Sequence, residues 1–267
     1  MNWNLIRKTA RERRRSAAIY ASANALYVLF ICAFFPSIRD MANLKLDLFK
    51  DRYAGVARFF GVQSFDIKSF NNYIVMQFLS LIWVILIAAF IIAFARNMVS
   101  GELEEGTLEL LLSQPIERWK VLTSEGATLL GGIVGLVVST VLSIIVFGAI
   151  FKVGVTYGGY LSFVALAVAL FIAIAGYSIF FSALFNEPRR AAMVAAGLTL
   201  VFYLLHFAGS YSSVADKIDW FGVFHYYNPL GVINGGGFPF KNVLVLLAFG
   251  AVGFAAALWV FRKKDIT

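Results

Sequence analysis

The stretch NNYIVMQFLSLIWVILIAAFIIAFA, Asn71–Ala95, decides the fold. Its 25 residues include no Asp, Glu, Lys or Arg. A helix of about 20 apolar residues crosses the hydrocarbon core of a bilayer, and a chain inside lipid must satisfy its own backbone hydrogen bonds. Five further charge-free runs qualify on the same terms: Ser16–Ile38, Gly126–Phe151, Val153–Asn186, Ala191–Ala215 and Asn242–Phe261. The fourth of the six, Val153–Asn186, is longer than one crossing needs, and Gly158-Gly159 place its helix start near Tyr160. None alternates as barrel strands do. The sequence therefore predicts an all-α polytopic membrane protein forming a single domain over 1–267, with six transmembrane helices near 17–38, 72–95, 125–151, 160–185, 191–214 and 242–261. One more uncharged run, Trp220–Phe240, is broken by Pro229, Gly235–Gly237 and Pro239. It is expected not to span, but to fold at the surface or re-enter partway.

The composition agrees with this reading. Of the 267 residues, 60% are hydrophobic and 14% charged, against roughly 45–50% and 25% in soluble domains. That excess excludes an ordinary water-soluble globule, and the single cysteine excludes a disulfide scaffold. A net charge of +8 on so apolar a chain marks segments facing an anionic membrane surface rather than nucleic acid.

Basic residues orient the spans. With both termini in the cytoplasm, the inner segments carry Arg7, Lys8, Arg11, Arg13, Arg14 and Arg15, then Arg96, Arg118 and Lys120, then Arg189 and Arg190, then Arg262, Lys263 and Lys264. That is 14 of the 23 Lys and Arg residues, as the positive-inside rule requires. The loop Pro36–Phe70 is sparser in basic residues and carries four aspartates. Met1–Ser16 reads either as an interfacial helix, with Trp3, Leu5 and Ile6 in the headgroup layer, or as a plain basic anchor.

One inner segment is long. Across Arg96–Glu125, Ser100 suits an N-cap, and Glu102, Glu104 and Glu105 complement the positive end of a helix dipole. Leu103, Leu108, Leu110, Leu111 and Leu112 supply an apolar stripe. Pro115 then breaks the helix, with Ser113 capping a second short helix that carries Arg118, Trp119 and Lys120. Residues Gly101–Trp119, GELEEGTLELLLSQPIERW, closely resemble the junction after span two in permease subunits of ABC-2 type transporters. The resemblance elsewhere rests on layout: the basic N-terminus, Asn186–Arg190, Phe224–Pro229 and Arg262–Asp265.

That resemblance implies a cytoplasmic coupling helix between spans 2 and 3 that docks on a separate ATPase subunit. It implies docking residues Glu102, Glu104, Glu105, Gly106, Thr107, Glu109 and Arg118, two ATPase copies, and a second permease copy meeting this one mainly through spans one and five, as a homodimer in the cell membrane. It further implies export of an amphiphilic or hydrophobic cargo by alternating access. The chain contains no Gly-Lys pair and hence no nucleotide-cradling loop of the Walker type. ATP and magnesium are therefore expected on the partner, with no cofactor or metal on this chain.

The rival readings are an ATPase-independent channel or scaffold and a membrane-embedded enzyme. No ionisable Asp, Glu, Lys or Arg lies in the six runs, which argues against ion-coupled carriage. Ser80, Ser139, Ser143, Ser178 and Ser182 are expected to bond to their own helices, and Asp216 and Asp219 to lie in a solvated loop. His206 reads as a packing or cavity residue. Gly131 and Gly135 form a Gly-x-x-x-Gly step expected to pack inside one subunit. For a central pathway, the candidates on chemistry alone are Tyr20, Asn24, Gln77, Thr140, Tyr177, Tyr203 and His206.

Overall fold

A computed structural model of the chain describes residues 3–59, 69–101, 104, 118–155, 157–209, 217–235 and 237–264; at 4, 5, 41–59 and 118 only the backbone is described. Among the described residues the regular structure is helical throughout. Six helices are long and apolar enough to cross a membrane: Ile6–Asp40, Phe70–Gly101, Trp119–Ile150, Gly158–Leu184, Pro188–Gly209 and Phe240–Lys263, here spans 1 to 6. The chain adopts the expected all-α polytopic fold. The start of span 1 and the end of span 6 lie at one end of the bundle, where Arg13 meets Asn97 and Lys264 meets Ala183 and Phe185; this end is the proximal one and the other the distal.

Two elements run further than the sequence predicted. Trp3–Phe59 is one uninterrupted helix of 57 residues, so the described part of the N-terminal segment, residues 3–16, has no elbow that would make it a separate helix, and Pro36 does not start a loop. The reason is local: no Gly or Pro occurs between Trp3 and Phe35, and Pro36 sits inside the helix rather than ending it. At about 1.5 Å per residue such a helix is far longer than a bilayer core of about 30 Å. Span 3 likewise belongs to a helix described from Arg118 to Ile150. Arg118, Trp119 and Lys120 thus lie in the same helix as the span rather than in a separate short one.

Span 4 is the most buried of the six, and spans 5 and 6 the least. Trp83 of span 2 fixes the centre. Its ring is fully buried, lies 5.5 Å from Phe163 and 5.1 Å from Phe171 of span 4, and donates its indole N–H to Thr140 Oγ1 of span 3 at 3.1 Å. Span 1 packs along span 3 and meets span 2 through ring pairs Tyr20–Phe90, Tyr27–Phe78 and Phe35–Phe70.

Spans 4 and 6 touch backbone to backbone. A Cβ on Gly176 would stand 2.5 Å from the Gly250 carbonyl oxygen, and one on Gly253 would stand 2.5 Å from the Gly176 carbonyl carbon. Only glycine permits this approach. The Gly131–Gly135 step behaves otherwise: it is exposed with Val134 and Val138, and nothing lies within 4 Å of either added Cβ. It faces away from the protomer because the buried side of span 3 is the one carrying Leu129, Ile133, Leu136, Val137 and Thr140.

Candidate functional site

Span 2 does not leave the bundle as a plain α-helix. After Ile82–Arg96 it passes into a π-helical turn, Asn97–Gly101, at the head of the segment that resembles a coupling helix. Wide turns of this kind are uncommon and cluster at functional positions. All of Met98, Val99, Ser100 and Gly101 are buried, so the turn is held from outside. Ser182 of span 4 provides the grip. Its hydroxyl oxygen accepts from Val99 N–H at 3.3 Å and Ser100 N–H at 3.4 Å, and it donates to the Arg96 carbonyl at 3.3 Å. Ser100 Oγ donates to the same carbonyl at 2.7 Å. Ser100 is therefore inside the π-helical turn Asn97–Gly101, bonded backwards, and not the N-cap the sequence suggested.

Two cations brace the same level. The Arg13 guanidinium of span 1 lies 5.2 Å from the Phe94 ring centroid. With the Asn97 amide assigned so that its oxygen faces Arg13, that oxygen accepts from Nη1 at 3.2 Å and Nη2 at 3.0 Å. Lys264, beyond span 6, donates its ammonium to the carbonyls of Ala183 and Phe185 at 2.9 and 3.0 Å, which caps the end of span 4. Burial lowers the pKa of that ammonium below the ordinary lysine value. Spans 1, 2, 4 and 6 thus converge where span 2 exits. The remaining serines mostly follow expectation: Ser139, Ser143 and Ser178 each bond a carbonyl of their own helix.

The distal end is closed by the uncharged segment between spans 5 and 6. It does not span; it forms a 3-10 turn at Val223–Tyr226 and a short helix at Pro229–Ile233. Asn234 ties it to span 2, accepting from Asn71 Nδ2 at 3.4 Å and donating to Asn72 Oδ1 at 3.0 Å. Tyr160 donates to Asn71 Oδ1 at 3.2 Å, and Tyr227 to the Leu79 carbonyl at 2.9 Å. Gly159 lies so close to the Ile233 carbonyl that a Cβ has no room.

The same segment corrects the reading of Asp219. Its side chain is 6% exposed, not solvated, and its Oδ2 meets His206 Nδ1 at 3.0 Å and His225 Nδ1 at 2.8 Å. Its Oδ1 is buried without a partner. Sequence reading missed this cluster because the three residues sit on three different elements.

Of the predicted docking residues, Glu102, Glu105, Gly106, Thr107 and Glu109 lie outside the described residues. Glu104 is helical and exposed, and Arg118 lies in the helix that carries span 3. The pathway candidates are not brought together. Tyr20 packs on Phe90, Thr140 serves Trp83, Tyr177 shares a 2.6 Å bond with Thr199, Tyr203 packs on Phe224, and His206 joins Asp219. Gln77 points outward. Asn24 is fully buried with neither amide atom partnered.

Six spans long and apolar enough to cross a bilayer, the fourth the most buried, make this a multi-pass membrane protein. A family model described as ABC-2 family transporter protein matches residues 3–266, and the chain belongs to that family. No curated protein matches the sequence. Membership makes the chain a permease subunit of an ABC transporter, embedded in a membrane, and implies partnership with an ABC ATPase.

Proposed function

We propose that the chain is the permease half of an exporter in which a separate ATPase drives two copies of this subunit through alternating access. The proximal end is then cytoplasmic, in the cell membrane, with both termini inside and the Gly101–Trp119 segment seated on the ATPase. Glu102, Glu104, Glu105, Gly106, Thr107, Glu109 and Arg118 form that contact, and ATP and magnesium bind on the partner. The absence of charged residues from the six apolar runs suits an amphiphilic or hydrophobic cargo, because a desolvated charge in the passage would oppose entry of an apolar molecule. Among the pathway candidates Asn24 is the first to test, since its buried amide has hydrogen bonds to offer.

The observation that carries this reading is the family match along nearly the whole chain. The expected test is copurification with the cognate ABC ATPase. Glu104→Lys with Glu105→Lys reverses two charges at the contact and should abolish both association and stimulated ATP hydrolysis. Unchanged association and unchanged stimulation would overturn the docking assignment.

A further inference from the structure

We infer that Ser182 is a positioning residue that sets the rotational phase at which span 2 leaves the membrane, by holding Asn97–Gly101 in its wide turn. In an α-helix the Arg96 carbonyl accepts from the N–H of Ser100, four residues on. The π pattern moves each pairing one residue further. Here the Arg96 carbonyl takes two hydroxyls, Ser100 Oγ and Ser182 Oγ, while Ser182 Oγ receives the N–H groups of Val99 and Ser100. A side chain from a neighbouring span has entered the ladder, one of the few recognised causes of such a distortion.

The consequence is geometric. A wide turn holds one residue more than an α turn, and one α-helical residue corresponds to a rotation of about 100° about the axis. Closing the turn would rotate everything after Gly101 by about that angle relative to span 2. The bonds that prevent closure measure 3.3–3.4 Å, at the long end for such contacts. Three features make the grip specific to Ser182 rather than general packing. The hydroxyl is fully buried, so water does not replace it. Its neighbour Ser178 instead bonds its own helix at the Ile174 carbonyl. Lys264 fixes the end of span 4 just beyond it, through Ala183 and Phe185, which holds Ser182 at a constant height against the turn.

This inference rests on the proposed ATPase contact only for its consequence in docking; the phase itself is a property of the permease alone. The test uses the full-length permease with Cys32→Ala, which removes its one cysteine, and single cysteines introduced in turn at positions 104 to 109. Maleimide labelling is compared among Ser182 wild type, Ser182→Ala and Ser182→Thr. Ser182→Ala is expected to move the labelling maximum by one position, with Ser182→Thr, which keeps the hydroxyl, restoring the original pattern. An unchanged pattern in Ser182→Ala, in protein whose melting temperature matches wild type, overturns the inference.

A second readout separates the two readings. The dissociation constant for the cognate ATPase should rise about tenfold or more in Ser182→Ala and stay near wild type in Ser182→Thr; tenfold corresponds to about 1.4 kcal/mol. A shifted labelling pattern with no ATPase binding in any variant sinks the docking reading and upholds the phase role. Intact docking in Ser182→Ala together with unshifted labelling sinks the phase role alone.

Discussion

The two ends of span 2 are held in opposite ways. At the distal end, Asn71 and Asn72 engage Asn234 and Tyr160 through side chains from three elements, and a second wide turn, Val75–Leu79, is met by Tyr227 at the Leu79 carbonyl. At the proximal end one hydroxyl, Ser182, serves three backbone groups. Several bonds that must break together make the distal end stiff, since shared networks do not yield one member at a time. Ser100 at the Arg96 carbonyl and Arg13 at Asn97 also brace the proximal turn. Its hydrogen bonds to span 4, among the described residues, nevertheless run through the Ser182 hydroxyl and are long, hence weaker than most of those at the distal end. Fixed at one end and adjustable at the other is the arrangement a lever needs.

The largest effect should come from the contact that keeps the two ends in one frame. Gly250→Leu forces a side chain into a space where even a Cβ would stand 2.8 Å from the Ile172 carbonyl oxygen. Overpacking against backbone, which has no rotamer to change, should cost about 3 kcal/mol or more. The purified protein should lose its cooperative melting transition and run as aggregate on size exclusion. Gly131→Leu is the matched control, because nothing lies within 4 Å of its added Cβ, and its melting temperature should match wild type. Equal tolerance of both substitutions would show that spans 4 and 6 are not in backbone contact.

A smaller, local effect is expected at the distal cap. Asp219→Ala removes the acceptor shared by His206 and His225 and should cost about 2 kcal/mol, the range for hydrogen bonds to a charged group. Hydrogen exchange should rise at Val223–Tyr226 and Pro229–Ile233 while the proximal turn at Asn97–Gly101 keeps its protection, since distant sites without shared partners act independently. Loss of protection at both ends would mean that they are one cooperative unit, and the contrast drawn above would fail.

Much of this was legible in the sequence, but unevenly. Crossing number follows from apolar run length, because lipid penalises any exposed charge or open backbone, and all six runs became spans. Facing direction does not follow. Gly131 and Gly135 carry the recognised small-residue spacing yet point outward, whereas Gly176, Gly250 and Gly253 make the close contact from two helices 74 residues apart at Gly176 and Gly250. Ser182 looked like any serine in a membrane helix, and only the neighbouring span reveals that its bonds go sideways. Asp219 looked solvated because it follows Asp216 by three residues in a segment read as an outer loop, while its partners lie 13 residues before it and 6 after. Helix ends were misjudged where length exceeded what a bilayer requires: Trp3–Phe59 continues through Pro36, which the sequence reading took as the start of a loop.

The smallest expected effect has the opposite sign and concerns Asn24, which belongs to neither end. Tyr20 and Tyr27, four residues before and three after, lie on the same face of span 1 and pack on Phe90 and Phe78 of span 2. Asn24 therefore faces span 2 between them, fully buried, with both amide atoms lacking a partner. An unsatisfied buried polar group costs about 1–3 kcal/mol, so Asn24→Val, apolar and nearer in volume than leucine, should raise stability by about 1 kcal/mol and the melting temperature by a few degrees. Transport by the stabilised variant then decides why the cost is carried. Loss of transport with intact ATPase association would assign the amide to the cargo. A lowered melting temperature would instead show that the amide is satisfied within the bundle, and would remove Asn24 from the pathway.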